Sequence, residues 1–286
     1  MSDSAPLTAT AGNWSGLFSR RPFTFGENWE RFASSLSQRA IERAEESLIG
    51  LLGADAIRGR SFLDVGCGSG LFSASAARLG ASRVVALDAD AQCVSVARSV
   101  AERLGVADQV ETAQGSILDA AAPARLGSFD VVYAWGSLHH TGAMWRAIKT
   151  TASLVQPQGT LVLAIYRKSV TSPFWWLVKR TYNAFPRLLR YPMLGGYLAV
   201  KAPYCVARGW PLRDRERGMN LLTDAADWLG GFPYEYASAG EVTRFVEKEG
   251  FKTLRVIPTQ GAVGCNQFVF QRIATDGEPK KGANPR

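Results

Sequence analysis

The sequence predicts an α/β protein built on one doubly wound, mostly parallel, seven-stranded sheet. Short apolar runs alternate with helical patterns between residues 59 and 166, an order typical of a parallel sheet covered by helices on both faces. The same alternation resumes after residue 236, where two last strand patterns joined by a glycine-containing loop predict an antiparallel hairpin. With 47% hydrophobic residues, the chain has enough apolar side chains to bury a sizeable core.

Seven strand patterns can be placed along the chain. They are Phe62 to Val65, Val84 to Leu87, Val110 to Gln114, Val131 to Ala134, Leu161 to Tyr166, Thr253 to Pro258 and Gln267 to Gln271. Before the first strand, apolar residues recur every three or four positions from Asn28 to Leu52, which predicts one amphipathic helix. Before the last two strands, Ser238 and Glu241 have the spacing of a capping box and predict the start of another helix.

Composition divides the chain into segments. The small, polar residues at the start predict a flexible tail, and the charged, Pro/Gly-rich end predicts a disordered one. The predicted segments are a tail (1–24), an N-terminal helical cap (25–58), a core in two parts (59–166 and 236–273), an inserted helical lid (167–235) and a second tail (274–286).

The net charge of +8 belongs to one segment of the chain. Residues 166–218 hold eleven basic, two acidic and ten aromatic side chains, whereas the rest of the chain holds 22 basic and 23 acidic ones. Three interpretations compete: a lid whose aromatics wall a small-molecule pocket while its charges face water, a surface of residues 167–217 resting on an anionic membrane, and a nucleic-acid platform. A predicted buried helical stripe of Trp175, Val178, Tyr182 and Phe185 favours the lid, and nucleic acid is the least favoured.

Several classes of protein are disfavoured. The four cysteines are far apart and form no CxxC pair, so neither a disulfide framework nor a metal site is predicted. The first residues lack a basic region followed by an apolar stretch, so no secretory signal is expected. The apolar window from Tyr191 to Val200 is half the length of a membrane-spanning helix. We therefore expect a cytoplasmic protein, with peripheral contact at the inner face of the membrane as the alternative.

The segment FLDVGCGSG, residues 62–70, carries the strongest functional signal. A nicotinamide-binding loop has the pattern GxGxxG, but here the third glycine would fall on Leu71, and the observed pattern is GxGxG. S-adenosylmethionine brings an amino acid, a sulfonium and a ribose rather than a pyrophosphate to such a loop. Asp64 is predicted to orient its cationic methionine end, and Asp88, 24 positions later, to accept hydrogen bonds from both ribose hydroxyls.

With these motifs the chain resembles the class I S-adenosylmethionine-dependent methyltransferases, which have a Rossmann-like fold, and more loosely the quinone-methylase-like bacterial small-molecule methyltransferases. Further matching segments are VVALDAD (84–90), GSILD (115–119), FDVVYAWGSLHHTG (129–142) and LVQPQGTLVLAIY (154–166). The resemblance implies S-adenosylmethionine as cofactor. It implies cofactor contacts from Trp29, Asp64, Gly66, Cys67, Gly68, Gly70, Asp88, Ala89, Ser116, Ile117, Ala134 and Trp135. Within this set, the Cys67 side chain is interpreted as a small buried filler, and Trp29 either covers the donor or packs on the core.

His139 and His140 are the two histidines of the chain and follow the fourth strand, where donor and acceptor meet in the resembled fold. Because imidazole titrates near neutrality, either is a candidate general base for an oxygen or thiol acceptor. The alternative is that at least one of them packs or caps the next helix. Tyr166, Asp227 and Trp228 are predicted substrate contacts. For Asp227, Trp228 and Glu235, pinning of the lid is the competing interpretation.

The function expected from these observations is methyl transfer from S-adenosylmethionine to a heteroatom of a small molecule, with oxygen favoured over sulfur or nitrogen. The alternatives are a membrane-associated lipid or quinol O-methyltransferase, and an RNA methyltransferase or a non-catalytic S-adenosylmethionine-binding partner protein. No Asn-Pro-Pro-aromatic tetrapeptide follows the fourth strand, which disfavours methylation of exocyclic amines.

Overall fold

A computed structural model describes residues 25–212, 217, 219–259 and 263–274. The predicted tail of residues 1–24, and all but the first residue of the predicted tail of residues 274–286, lie outside the described residues.

Seven strands form a single sheet in the order β3-β2-β1-β4-β5-β7-β6. Their bounds are β1 (Ser61–Val65), β2 (Arg83–Asp88), β3 (Val110–Gln114), β4 (Phe129–Trp135), β5 (Val155–Tyr166), β6 (Phe251–Ile257) and β7 (Cys265–Arg272). The first five strands pair in parallel, and β7 pairs antiparallel with both β5 and β6. The predicted mostly parallel, seven-stranded sheet with a C-terminal antiparallel pair is confirmed.

Helices cover both faces of this sheet. Their bounds are α1 (Phe25–Ser34), α2 (Gln38–Leu52), α3 (Leu71–Arg78), α4 (Ala91–Arg103), α5 (Ala122–Leu126), α6 (Met144–Ser153), α7 (Ser172–Ala184), α8 (Arg187–Ala207), α9 (Leu221–Gly230) and α10 (Ala239–Lys248). One apolar core lies under α2, α3 and α4, and a second lies under α5, α6 and α10. Successive strand side chains enter opposite cores, as Phe62 and Leu63 of β1 do, which explains why the central strands β1, β2 and β4 are largely apolar.

The single helix predicted from Asn28 to Leu52 is wrong, because the structure has two helices there. Ser37 has extended backbone angles, and its hydroxyl accepts a hydrogen bond from the backbone N–H of Ala40, so it begins α2 as an N-cap. Phe32 and Leu36 both enter the core across the break, so the apolar spacing continues although the helix does not.

The insert between β5 and α10 contains α7, α8 and α9. Its predicted buried stripe is correct in part, since Tyr182 is buried but Phe185 is 37% exposed. The expectation that the insert's charges all face water is wrong for Lys179, which is fully buried. The Lys179 ammonium donates to the backbone carbonyls of Trp228 and Gly231 and lies 4.2 Å from the centroid of the Trp228 ring. Within the described ranges, no helix has the length and apolar character needed to cross a bilayer.

Candidate active site

A cavity of about 1020 Å³ lies at the C-terminal ends of the strands. Its wall comes from the β1–α3 loop, the ends of β2 and β4, helix α1, helix α9 of the insert, and the residues that precede and begin β7. The strand order reverses between β1 and β4, and doubly wound sheets bind their ligands at such a reversal. The fold therefore places the sequence motifs around one ligand-sized space.

The glycines of the β1–α3 loop are required by the loop itself. Gly66 and Gly70 have φ values of +74° and +71°, which side chains other than glycine rarely adopt. A Cβ atom on Gly66 would lie 2.3 Å from the Cβ of Ser137, and one on Gly70 would lie 2.6 Å from the Cα of Ala97. Gly66 lines the cavity, so close packing adds to the predicted reason for it, the approach of a ligand. Gly70, a predicted cofactor contact, does not line the cavity, and close packing on Ala97 accounts for it instead.

Two carboxyl groups flank this loop. Asp64, on β1, is buried, and its Oδ2 accepts a hydrogen bond of 2.7 Å from the Ser73 hydroxyl, while burial raises its pKa to about 7. Asp88, the last residue of β2, accepts from the backbone N–H groups of Gly68 at 3.0 Å and Asp90 at 2.9 Å. Burial also raises the pKa of Asp88. Each Asp88 oxygen keeps acceptor capacity beyond these bonds, so the carboxylate can still receive two hydroxyl donors.

Most of the other predicted cofactor contacts also line the cavity. Ala89, Ser116 and Ile117 do so beyond Asp88, as does Cys67, whose thiol pKa burial raises well above its ordinary value. A neutral, enclosed thiol agrees with the interpretation of Cys67 as a filler. The Trp29 indole covers Gly68 so closely that a Cβ there would lie 2.8 Å from two of its atoms.

The two predicted cofactor contacts at the end of β4, Ala134 and Trp135, lie on opposite faces of the sheet. Trp135 lines the cavity, and its indole N–H donates to Oε1 of Gln267 on β7 at 3.2 Å. Ala134 is buried in the core on the opposite face of the sheet, because successive strand residues point to opposite sides. The prediction that the Ala134 side chain lines the cleft is therefore wrong.

The adjacent histidines occupy different environments. His139 is fully buried beside the Tyr166 ring, with the two centroids 3.8 Å apart, and does not line the cavity. His140 lines the cavity, and its Nδ1 lies 2.7 Å from the carbonyl oxygen of Pro233. A carbonyl only accepts, so Nδ1 carries the proton and donates it, while Nε2 is enclosed beside Gly231. The cavity therefore meets ring carbons of His140 rather than an available nitrogen.

The pKa values of the two imidazoles also argue against a role as general base. Burial and the nearby Lys179 ammonium lower the pKa of His140 to about 3, and burial lowers the pKa of His139 well below its ordinary value. Both rings are neutral near pH 7. The placement of His139 contradicts its predicted direct role as a base, and His140 acts in this structure as a wall of the cavity.

The three predicted substrate residues fall into two groups. Asp227 lines the cavity. Tyr166 and Trp228 do not, because they pack behind it with Tyr234 around the Lys179 ammonium, so direct contact by these two is wrong for this structure. Both carboxylate oxygens of Glu235 lie 3.1 Å from the backbone nitrogen of Met144 at the start of α6, which is the pinning role considered as the alternative.

Sequence reasoning missed Arg217, which also lines the cavity. Its guanidinium carbon lies 3.4 Å from the centroid of the Trp135 ring and 3.9 Å from that of Phe72, and its Nη1 donates to the Tyr133 hydroxyl at 2.7 Å. The charged stretch RDRERG around it has no periodicity that would have set this residue apart. In the part of the chain that the structure describes, no cluster of side chains could hold a metal ion.

Comparison with known proteins found a family match for the part of the chain that begins at β1 and ends within β5. Residues 62–159 match a family described as "Methyltransferase domain". A ubiquinone biosynthesis O-methyltransferase from Xanthomonas axonopodis pv. citri is 41% identical over 111 residues, which are 39% of this chain and 45% of that protein. A ribosomal protein L11 methyltransferase from Aeromonas hydrophila is 47% identical over 55 residues, 19% of each chain. The chain thus spans less than half the length of these curated relatives.

The fold is also found in solved structures. Magnesium protoporphyrin IX methyltransferase from Synechocystis PCC 6803, crystallised with bound SAH, superposes with a TM-score of 0.51 at 16% identity, covering 91% of this chain and 92% of that one. At this identity the likeness concerns the fold alone. Residues 62–159 thus match a methyltransferase domain family, and the chain shares its fold with a solved methyltransferase structure.

Proposed function

We propose that the chain transfers a methyl group from S-adenosylmethionine to a heteroatom, with oxygen favoured, of a small-molecule acceptor. The observation that carries this proposal is the position of Asp64, the glycine loop and Asp88 around one cavity inside a methyltransferase domain. The match over 111 residues to a ubiquinone biosynthesis O-methyltransferase supports oxygen as the methylated atom.

The residues around the cavity fit S-adenosylmethionine. Asp88 retains acceptor capacity for two ribose hydroxyls, and Asp64 offers a buried carboxyl to the cationic amino-acid end. Ser116 and Ile117 line the region beyond Asp88, where the adenine belongs. When bound, this cofactor supplies an electrophilic methyl group on a sulfonium, and the protein must orient the acceptor and exclude water.

The form of the cavity supports a small acceptor. Its volume of about 1020 Å³ is at the upper end of ordinary ligand sites, which leaves room for a second molecule beside the donor. Its walls include the aromatic rings of Phe25, Trp29, Phe72 and Trp135. A compact, largely apolar acceptor with one nucleophilic group suits such walls.

A labelling experiment tests this function. The protein is incubated with S-adenosylmethionine labelled in its methyl group and with a cell extract that contains both small molecules and RNA. We expect the label to appear in a small product that mass spectrometry identifies as methylated, and heat-denatured protein serves as the control. Label recovered only in RNA would support the nucleic-acid alternative, and label that stays in the donor would support a non-catalytic binding protein.

We also propose that the insert contacts an anionic bilayer at its surface. Large apolar side chains are exposed on α7 and α8, and Leu189, Val200 and Tyr204 recur at a spacing that puts them on one face of α8. Lys201 and Arg208 lie beside that face, in the segment that carries the net positive charge. Exposed apolar residues flanked by basic ones are the composition of an interfacial surface, and a lipid-soluble acceptor would then reach the cavity from the bilayer.

Vesicle sedimentation measures this contact. We expect the protein to sediment with phosphatidylglycerol vesicles and to remain in solution with phosphatidylcholine vesicles, because anionic lipid attracts the basic residues. The double substitution L189Q/V200Q removes two exposed apolar side chains that would enter the bilayer, and should weaken vesicle binding about tenfold or more. Leu254→Gln, at an exposed apolar position of β6, is the matched control. Equal binding to both lipids, or an unaffected double variant, would contradict the proposal.

A further inference from the structure

We propose that Asp227 is the general base of the reaction, and that it takes the proton of the acceptor hydroxyl as the oxygen is methylated. This inference rests on the proposed function and adds to it the residue that handles the proton. Asp227 lies near the C-terminal end of α9, and its half-buried side chain lines the cavity.

The position of Asp227 above the sheet suits this role. It lines the cavity together with Asp88 at the end of β2, Trp135 at the end of β4 and Cys265 at the start of β7. These residues surround the reversal of strand order between β1 and β4, where folds of this kind bind their ligands.

One oxygen of this carboxyl is uncommitted. The Asp227 Oδ1 is buried and has no hydrogen-bond partner within the described residues. Buried carboxyl oxygens are almost always hydrogen-bonded, so an uncommitted one beside a cavity indicates a group kept available for a reactant. As a whole, Asp227 is half-buried and belongs to the lining of the cavity.

Asp64, Asp88 and His140, which also line the cavity, each have at least one polar atom already engaged in a hydrogen bond. Asp64 accepts from the Ser73 hydroxyl, and Asp88 accepts from the backbone N–H groups of Gly68 and Asp90. His140 donates from Nδ1 to a carbonyl, and its Nε2 is enclosed beside Gly231. Asp227 thus suits proton transfer better than the histidines that the sequence suggested.

The turn that carries Asp227 is held on two sides. From α7, the Lys179 ammonium donates to the Trp228 carbonyl, and the Asn183 amide donates to the Gly230 carbonyl at 3.0 Å. From α1, the Asn28 amide donates to the Thr223 carbonyl at 3.2 Å. These bonds fix the end of α9 and hence the carboxyl, and fixed geometry is what proton transfer in an active site needs.

The groups around the Asp227 carboxyl determine its pKa. Burial and the Asp224 carboxyl, one turn earlier on α9, raise its pKa, the Lys179 ammonium and the Asn28 amide lower it, and the result is about 7. Cys93, Tyr166 and Cys265 also face it, and burial keeps all three neutral by raising their pKa values. A base that titrates near the working pH is both ionised and basic enough to accept a proton.

The proposed step is balanced. The hydroxyl oxygen of the acceptor forms the new bond to the methyl carbon, and the bond between that carbon and sulfur breaks with its electron pair left on sulfur. The hydroxyl proton passes to the Asp227 carboxylate, which yields a methyl ether, S-adenosylhomocysteine and a neutral carboxyl that releases its proton to solvent.

Two variants test the inference, with the labelled-donor assay as the activity measurement. Asp227→Asn keeps the shape of the side chain but cannot accept the proton, so we expect methyl transfer to fall about 10²- to 10⁴-fold. Calorimetric affinity for S-adenosylhomocysteine should stay within about threefold of wild type, because the proposed role is not donor binding. Asp227→Glu restores a carboxylate and should recover part of the activity.

Two pH measurements separate a base from a structural residue. Wild-type transfer should fall about tenfold per pH unit below 7, since protonation removes the base, and Asp227→Asn should lose this acid limb. Burial lowers the pKa of Lys179 to about 7, so Lys179 titrates in the same pH range. A fall in activity at low pH that is present in wild type and absent from Asp227→Asn is therefore assigned to Asp227. An infrared titration should likewise show one carboxyl fewer that deprotonates near pH 7 in Asp227→Asn.

Distinct outcomes would overturn the inference or the function beneath it. If Asp227→Asn transferred methyl groups at the wild-type rate, Asp227 would not be the base. The same conclusion would follow if the variant lost its affinity for S-adenosylhomocysteine to the same extent as its activity. An absence of both binding and transfer in the wild-type protein would instead refute the proposed function.

Discussion

Replacing Asp88 with alanine is expected to weaken S-adenosylhomocysteine binding about 10²- to 10⁴-fold. The carboxylate would accept two ribose hydroxyls, and hydrogen bonds to a charged group contribute about 1.5–3 kcal/mol each. The substitution also releases the backbone N–H groups of Gly68 and Asp90, so the loop loses the acceptor that holds it. Both effects act on the same ligand, which makes this the largest change in binding that a single side chain should cause.

Isothermal calorimetry measures this effect. Asp88→Asn keeps the size of the side chain and should fall between wild type and alanine, because one oxygen and the charge are lost. Asp108→Ala, at an exposed position that does not line the cavity, is the control for the loss of an acidic residue. If Asp88→Ala bound S-adenosylhomocysteine as tightly as wild type, the assignment of Asp88 to the ribose would be incorrect.

The second large effect concerns stability. Gly70→Ala is expected to lower the free energy of unfolding by about 2–5 kcal/mol, because the left-handed backbone costs about 1–2 kcal/mol and forced packing about 1–3 kcal/mol. The φ angle of Gly70 is +71°, and the new methyl group would lie 2.6 Å from the Cα of Ala97. Since that contact is with backbone, no side-chain rotation relieves it.

Gly105→Ala is the matched control for the backbone contribution. Gly105 has a φ of +69°, and no atom lies within 4 Å of the Cβ it would gain, so we expect a loss of only about 1–2 kcal/mol. Urea unfolding of both variants separates the steric contribution from the backbone contribution. Equal midpoints would mean that the close packing of Gly70 on α4 is not a feature of the folded protein.

Local patterns predicted the sheet and the presence of Asp64, the glycine loop and Asp88 around one site, because both depend on short segments. Strands β1, β2 and β4 are largely apolar runs, and Asp64, the glycines and Asp88 are fixed to strand ends whose parallel alignment brings them together. The break between α1 and α2 was not visible in the apolar spacing, since Leu36 stays in the core across it.

The acceptor side of the cavity depends on contacts between distant segments. Burial of Lys179 follows from the aromatic rings of β5 and α9 closing around it, and no property of α7 alone indicates this. Arg217 meets the Trp135 ring only after the insert returns to the sheet. The turn after β4 determines whether His139 or His140 faces the cavity, and the local sequence does not reveal the conformation of that turn.

A crystal structure of the protein grown with S-adenosylhomocysteine tests the donor site most directly. We expect the ribose hydroxyls within about 3 Å of the Asp88 carboxylate, the adenine against Ser116 and Ile117, and the amino-acid end toward Asp64. A nucleoside bound outside this cavity, or a cavity without ligand at a saturating concentration, would contradict the assignment of this site to the methyl donor.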